Sequence, residues 1–240
     1  MTFEGRVFEY LVISLLVAPF SLRFAGMDKK GSLAAFFIGF FVYVSFGFPG
    51  FLVLLSLHVI GAIVTRIGYN KKQSFGIAQK KRSFENVCAN GLLPAGAAVC
   101  AALFTNYSGL FTVAFVSAIA AATSDTVSSE LGELSKTKPR LITTFEQVDA
   151  GTDGAISLVG TIAGLGGAAI IVIVGILSET LVSSPLVFLI VVFSGFSGTV
   201  VDSLLGATLE RKKLIGNDLV NLFSIGSGLL LSILFYVAVS

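Results

Sequence analysis

The 240-residue chain is 55% hydrophobic and only 12% charged, with 16 Lys and Arg against 14 Asp and Glu. That charged share is about half of what a soluble domain carries, which excludes an ordinary water-soluble enzyme and leaves a membrane protein. The formal net charge of +2 is too small to call for a nucleic-acid partner.

Uncharged runs cover 31–65, 86–124, 154–178, 180–201 and 219–240. About twenty apolar helical residues, rising about 1.5 Å each, cross a hydrocarbon core about 30 Å thick. The first two runs are long enough for two crossings each, and both break near the middle, at "FGFPG" (46–50) and "TNYSG" (105–109). Such Pro, Gly and small polar residues suit tight turns. In chain order the sequence predicts helices near 7–23, 32–47, 50–66, 87–104, 109–125, 154–177, 183–206 and 219–239. The fold class expected is all-α: one polytopic membrane domain over residues 1–240, of about eight transmembrane helices. The first segment is the weakest, because Glu9 and Arg23 bound only thirteen uncharged residues. Acidic residues at its start and no small-residue cleavage site argue for a retained anchor instead of a signal peptide.

Every Lys and Arg except Arg6 falls near the loops after the first, third, fifth and seventh predicted helices. Positive residues stay on the cytoplasmic side. The expectation is a multi-pass cell-membrane protein with both termini outside and a basic inner face. Cys88 and Cys100 lie twelve apart in one predicted helix and imply neither a disulfide nor a metal site. His58 has no second histidine beside it and reads as a packing residue. "GTIAGLGG" (160–167) has the small-residue spacing that lets helices approach closely.

Between two of the apolar runs stands "SDTVSSELGELSKTKPRLITTFEQVDAGTDG" (124–154), which holds six of the fourteen carboxylates. Polar pairs four residues apart recur at helix starts: Asn86 with Asn90, Asp149 with Asp153, Asn217 with Asn221. Residues so spaced share a helix face. Asp125 and Asp202 close two other helices, where the helix dipole disfavours an anion. Capping accounts for Ser124, Thr152 and Asn217. The remaining residues predict a ring at one depth, made of Asn90, Asp125, Glu130, Asp153, Asp202 and Asn221. A charge in the bilayer core costs at least about 2.5 kcal/mol, so buried acids of this kind face the bundle interior and have a task. Carboxylates with Asn and Ser around them are hard oxygen ligands suited to Mg²⁺. Lys80, Lys81, Arg82, Lys136, Lys138 and Arg140 can neutralise phosphate oxygens. Acids for a metal beside bases for phosphates point to phosphoryl transfer. On this reading 124–154 is a cytoplasmic active-site floor under the helices.

The stretch "SDTVSSELGELSKTKPRLITTFEQVDAGTDGAISLVGT" resembles the signature of a membrane family that contains the chloroplast phytyl-phosphate kinase of vitamin E synthesis. "KKRSFENVCANG", "DSLLGATLE" and "NDLVNLFS" resemble its other shared segments in the same order, so the resemblance spans about 78–228. It implies transfer of a phosphoryl group from a nucleoside triphosphate, with CTP favoured, to an isoprenyl monophosphate such as phytyl or geranylgeranyl phosphate. Asn90, Asp125, Ser129, Glu130, Thr143, Thr144, Gly154, Asp202 and Asn221 match the pattern, which does not fix Asp149 or Asp153.

With that implication the expected roles are these. Asp125, Glu130 and Asp202 are the catalytic and Mg²⁺-binding acids. Arg82, Lys136 and Arg140 hold phosphates, while Asn90, Ser129, Thr143, Thr144, Asp153 and Asn221 contact substrate or nucleotide. The partners are membrane lipid and the prenyl phosphate, whose chain would lie in a lateral groove. A lipid transporter or flippase, and a nucleotidyltransferase making a CDP-activated lipid, are the competing readings. Charges gathered at one membrane face instead of the midplane weigh against the carrier.

Overall fold

The computed structural model describes residues 3–23, 26–74, 76 and 82–239. It is a helical bundle, the all-α polytopic class the composition predicts. Its helices are α1 (Phe3–Arg23), α2 (Lys29–Arg66), α3 (Tyr69–Ser74), α4 (Phe84–Leu103), α5 (Ser108–Gly132), α6 (Leu158–Leu177), α7 (Pro185–Leu205) and α8 (Asn217–Val239). Among the described residues six helices are long and apolar enough to cross a membrane: α2, α4, α5, α6, α7 and α8. Two of the eight expected segments are contained in α2, and α1 is not one of the six.

The 38 residues of α2 do not run straight. Gly47 takes φ 69° and ψ −161°, outside the helical region, just ahead of Pro49. A left-handed φ costs a residue with a Cβ, and glycine escapes that cost. The chain folds back there. Gly31 and Gly61, thirty residues apart, both lie against Arg82, the first on its carbonyl and the second on its guanidinium. Arg6, the one basic residue apart from the loops that hold the others, donates to the Val44 and Ser45 carbonyls at 2.7 and 3.0 Å. Carbonyls freed by the break are thus satisfied by a side chain.

At the centre stands α5, whose residues Val113 to Ser124 are all buried. It packs against α2, α4, α6, α7 and α8. Its alanines let neighbours come close: a Cβ on Gly195 would lie 2.8 Å from Ala120 Cβ, and one on Gly198 would lie 2.8 Å from Ala121 Cβ. On the opposite side Gly164 rests on Ser124 and Ser128, so the small-residue spacing in α6 is a helix contact.

Several predicted boundaries shift for local reasons. α4 begins at Phe84 because Ser83 caps it, accepting from Asn86 N at 3.3 Å. α6 begins at Leu158, capped by Ser157, which accepts from Gly160 N at 3.1 Å. The four residues before it do not join the helix, since Ala155–Ile156 (β2) pairs antiparallel with Arg140–Leu141 (β1). α5 extends seven residues beyond its expected end, so Asp125 lies two turns inside the helix and not at its terminus. α7 continues as a π-helical turn over Gly206–Glu210. The capping assigned to Ser124 and Thr152 is not found: Ser124 accepts from Thr199 within the bundle, and Thr152 donates to the Asp149 carbonyl.

Candidate functional site

The starts of α4, α6 and α8 and the ends of α5 and α7 meet at one end of the bundle. They enclose a cavity of about 280 Å³. A longer α5 matters here, because its last two turns carry Asp125, Ser129 and Glu130 down one wall. The π-turn after α7 adds Glu210 to the wall that Asp202 begins. The floor comes from 150–155, held by Gly154 (φ 75°) against the backbone of Ala207.

Of the residues singled out in the sequence, Arg82, Asn90, Asp125, Ser129, Glu130, Asp153, Asp202 and Asn221 line this cavity together. Asn86, Asn217 and Gly154 join them. Lys136, Arg140, Thr143 and Thr144 do not line it. All four are exposed in the segment between α5 and α6. Arg140 Nη1 donates to the Phe145 carbonyl at 2.7 Å, and Thr144 donates to Glu146 at 3.3 Å. Sharing a loop with the acids therefore does not bring these bases to the same place. Asp149 and Asp153 do not form a helical pair either, because 149–154 is turn: Asp149 is exposed, 3.5 Å from Lys138. Lys80 and Lys81 lie outside the described residues.

The charges of the cavity interact in two groups. Asp125 and Asp202 act on each other, with Asp153 and Glu210 close enough to act on the pair electrostatically. Asp202 Oδ2 is buried and has no hydrogen-bond partner. A buried carboxylate oxygen without a donor is costly unless a ligand completes it. Among the described residues no three His, Cys, Asp or Glu side chains form a ready-made metal cluster. The donor set nevertheless fits a hard divalent ion such as Mg²⁺, which takes one or two carboxylates and fills its shell with water and phosphate oxygens.

Arg82 and Glu130 form the second group. Burial lowers the Arg82 pKa from the ordinary value, and the Glu130 carboxylate opposes that shift. Glu130 itself is engaged. Its Oε1 accepts from Thr65 Oγ1 at 2.7 Å, and its Oε2 forms an ion pair with the buried Lys72. The expected metal-binding role for Glu130 thus competes with two protein partners. Burial, reinforced by the Glu130 charge and opposed by Lys72, raises Glu133 to about 7.

Sequence reasoning missed Lys72, Glu133 and Glu210. Lys72 was visible only as one more inner-face cation, and it reaches Glu130 across 58 positions of sequence. Glu210 belonged to the quoted "DSLLGATLE", seven residues after Ser203, and residues so spaced share a helix face.

The family described as integral membrane protein DUF92 matches residues 12–229. An uncharacterized membrane protein of Methanocaldococcus jannaschii is 39% identical over 231 residues, 96% of this chain and 94% of the relative. The chloroplastic protein VTE6 of Arabidopsis thaliana is 31% identical over 97% of this chain and 72% of its own. An uncharacterized membrane protein of Synechocystis is 31% identical over 87% of this chain and 84% of its own. No solved structure matches the chain.

Proposed function

The chain belongs to the DUF92 family of integral membrane proteins, and we propose that it is a prenyl-phosphate kinase. The reaction moves the γ-phosphoryl group of a nucleoside triphosphate, CTP by preference, onto phytyl or geranylgeranyl monophosphate. The observation that carries the reading is the polar cavity at one end of an apolar bundle, lined by the paired acids Asp125 and Asp202 and by the Arg82 guanidinium. Support also comes from the similarity to chloroplastic VTE6 over nearly the whole chain, in the family whose signature segment anticipated a chloroplast phytyl-phosphate kinase.

An acceptor that is already a phosphate needs no strong base to make it a nucleophile. Its terminal oxygen forms a bond to the γ-phosphorus while the bond from that phosphorus to the β,γ-bridging oxygen breaks. The nucleoside diphosphate leaves, and the lipid departs as its diphosphate. The barrier lies in bringing two polyanions into line, so positioning and charge compensation supply most of the catalysis. Asp125 and Asp202, with Asp153 and Glu210 behind them, would hold Mg²⁺, which when bound neutralises phosphate charge. Arg82 offers a planar fork of donors to the acceptor phosphate. Asn90 and Asn221 orient substrate oxygens from α4 and α8. Lipid reaches the site from the bilayer, and nucleotide from the cytoplasm that the basic loops face.

The test uses detergent-purified protein with Mg²⁺, prenyl phosphate and CTP labelled at either the α or the γ position. Label reaching the lipid from the γ position alone supports the kinase. Label from the α position makes it a nucleotidyltransferase, and unlabelled lipid crossing liposomes unchanged makes it a carrier. Asp125→Asn and Asp202→Asn should each lower turnover by about a hundredfold or more while the protein melts as wild type. Near-normal rates with unchanged Mg²⁺ dependence would remove both acids from the mechanism.

A further inference from the structure

Arg82 is the one basic residue lining the cavity among the described residues, against six carboxylates. A guanidinium that shares a small cavity with a carboxylate normally pairs with it, through two parallel hydrogen bonds where geometry allows. Glu130 is the carboxylate nearest in role, since its charge is the one that bears on Arg82. Were the two joined, Arg82 would have little left for an anionic substrate.

The fold prevents that pairing. After the second arm of α2 the chain turns at Gly68 (φ 66°) into the short helix α3. This carries Lys72 under the end of α5, where it is 1% exposed. Its ammonium lies on Glu130 Oε2, with the Val64 carbonyl 3.5 Å away. Thr65 takes the other Glu130 oxygen. One helical turn before Thr65, Gly61 leaves room for the guanidinium: a Cβ there would stand 2.6 Å from Arg82 Nη2. One face of the α2 arm therefore seats Arg82 at Gly61 and ties Glu130 at Thr65. A buried lysine that does not itself line the cavity is an expensive device unless it serves that carboxylate.

We infer that Lys72 is a positioning residue for the acceptor phosphate: by neutralising Glu130 it keeps the Arg82 guanidinium available to a phosphate monoester. The inference rests on the kinase reading for the name of the ligand, and it moves Glu130 from metal ligand to counter-ion. With Lys72 and Glu130 cancelling each other, Arg82 keeps its positive charge with Glu133 the remaining acid of that group, while Asp125, Asp202, Asp153 and Glu210 form the acidic group. The acceptor phosphate then sits by Arg82, and the nucleotide with its divalent ion sits by the two aspartates.

The experiment is equilibrium binding of geranylgeranyl phosphate to the detergent-solubilised chain without nucleotide, alongside melting temperature. Lys72→Met leaves Glu130 free to capture Arg82, and affinity should fall about tenfold or more. The double variant Lys72→Met with Glu130→Gln should return to within about threefold of wild type, because no charge then competes for Arg82. Glu130→Gln alone should keep both binding and Mg²⁺ dependence of turnover. A purely structural role predicts lower melting temperature in Lys72→Met but unchanged affinity in the folded fraction, and that result overturns the inference. Loss of turnover with altered Mg²⁺ dependence in Glu130→Gln also overturns it, by returning Glu130 to the metal. A wild-type chain that binds the prenyl phosphate yet transfers nothing from any nucleotide would refute the kinase reading and leave the role of Lys72 standing.

Discussion

Gly154→Ala perturbs the site through backbone packing alone, without altering any charged group. Gly154 has φ 75°, and a Cβ there would lie 2.5 Å from both Cα and Cβ of Ala207. The contact is reciprocal, since a Cβ on Gly206 would stand 2.8 Å from Gly154 N. Placing a methyl-bearing residue in the left-handed region costs about 1–2 kcal/mol. Forcing apart two packed segments adds about 1–3 kcal/mol, so the total is about 2–5 kcal/mol. Carbon atoms prefer a separation of about 3.5–4 Å, so the floor or the π-turn must move by about 1 Å. Asp153 precedes Gly154 on that floor, and Glu210 belongs to that turn. A misplacement of about 1 Å in a reacting constellation costs about a hundredfold in rate. Melting temperature in detergent should fall by at least about 4 °C, and turnover should fall more than the folded fraction does. Gly166→Ala is the control, because nothing lies within 4 Å of a Cβ at that position in α6. It should stabilise by about 0.5–1 kcal/mol and leave turnover alone. A Gly154→Ala protein with wild-type melting and wild-type rate would show that the floor does not set the geometry of the acids.

Glu133 gives a dependence on pH. The fold raises its pKa from 4.5 to about 7, so the folded state favours the protonated form. Its contribution to stability is complete below pH about 4.5 and is lost as pH rises through about 7. Glu133→Gln should flatten the melting temperature across that window, and an unchanged slope would assign the dependence elsewhere. Arg82→Ala should lose about ten- to a hundredfold in kcat/KM, while Arg140→Ala stays near wild type. The reverse order would put the phosphates on the ribbon outside the cavity. For topology, single cysteines at Tyr107 and Val182 should be labelled from outside intact cells, and one at Thr137 should not. Strong outside labelling at Thr137 would turn the protein over and deny the cavity its cytoplasmic nucleotide.

The apolar segments were legible in the sequence because a bilayer imposes a length and a charge rule on each of them separately. Even the reversal at Gly47 was marked, by "FGFPG", since a break in a membrane helix needs its own local chemistry. The acids at Asp125 and Asp202 were legible for a related reason: a carboxylate inside an apolar run has no cheap explanation other than a task. What was not legible depends on pairs far apart in the chain. Nothing near Lys72 distinguishes it from Lys71, yet one is exposed and the other is buried on Glu130. The opposite error occurred at Lys136 and Arg140, which share a segment with the acids but do not line the cavity, although Arg140–Leu141 pairs with Ala155–Ile156 beside it. Pro139 and residues 150–155 of that loop reach the cavity, while the charged side chains of Arg140, Glu146 and Asp149 between them are exposed. Local composition named the loop as charged, and register decided which of its charges a ligand would meet. That is why the cation serving the site comes from Arg82, at the head of α4, and is kept free by a lysine that never touches the cavity.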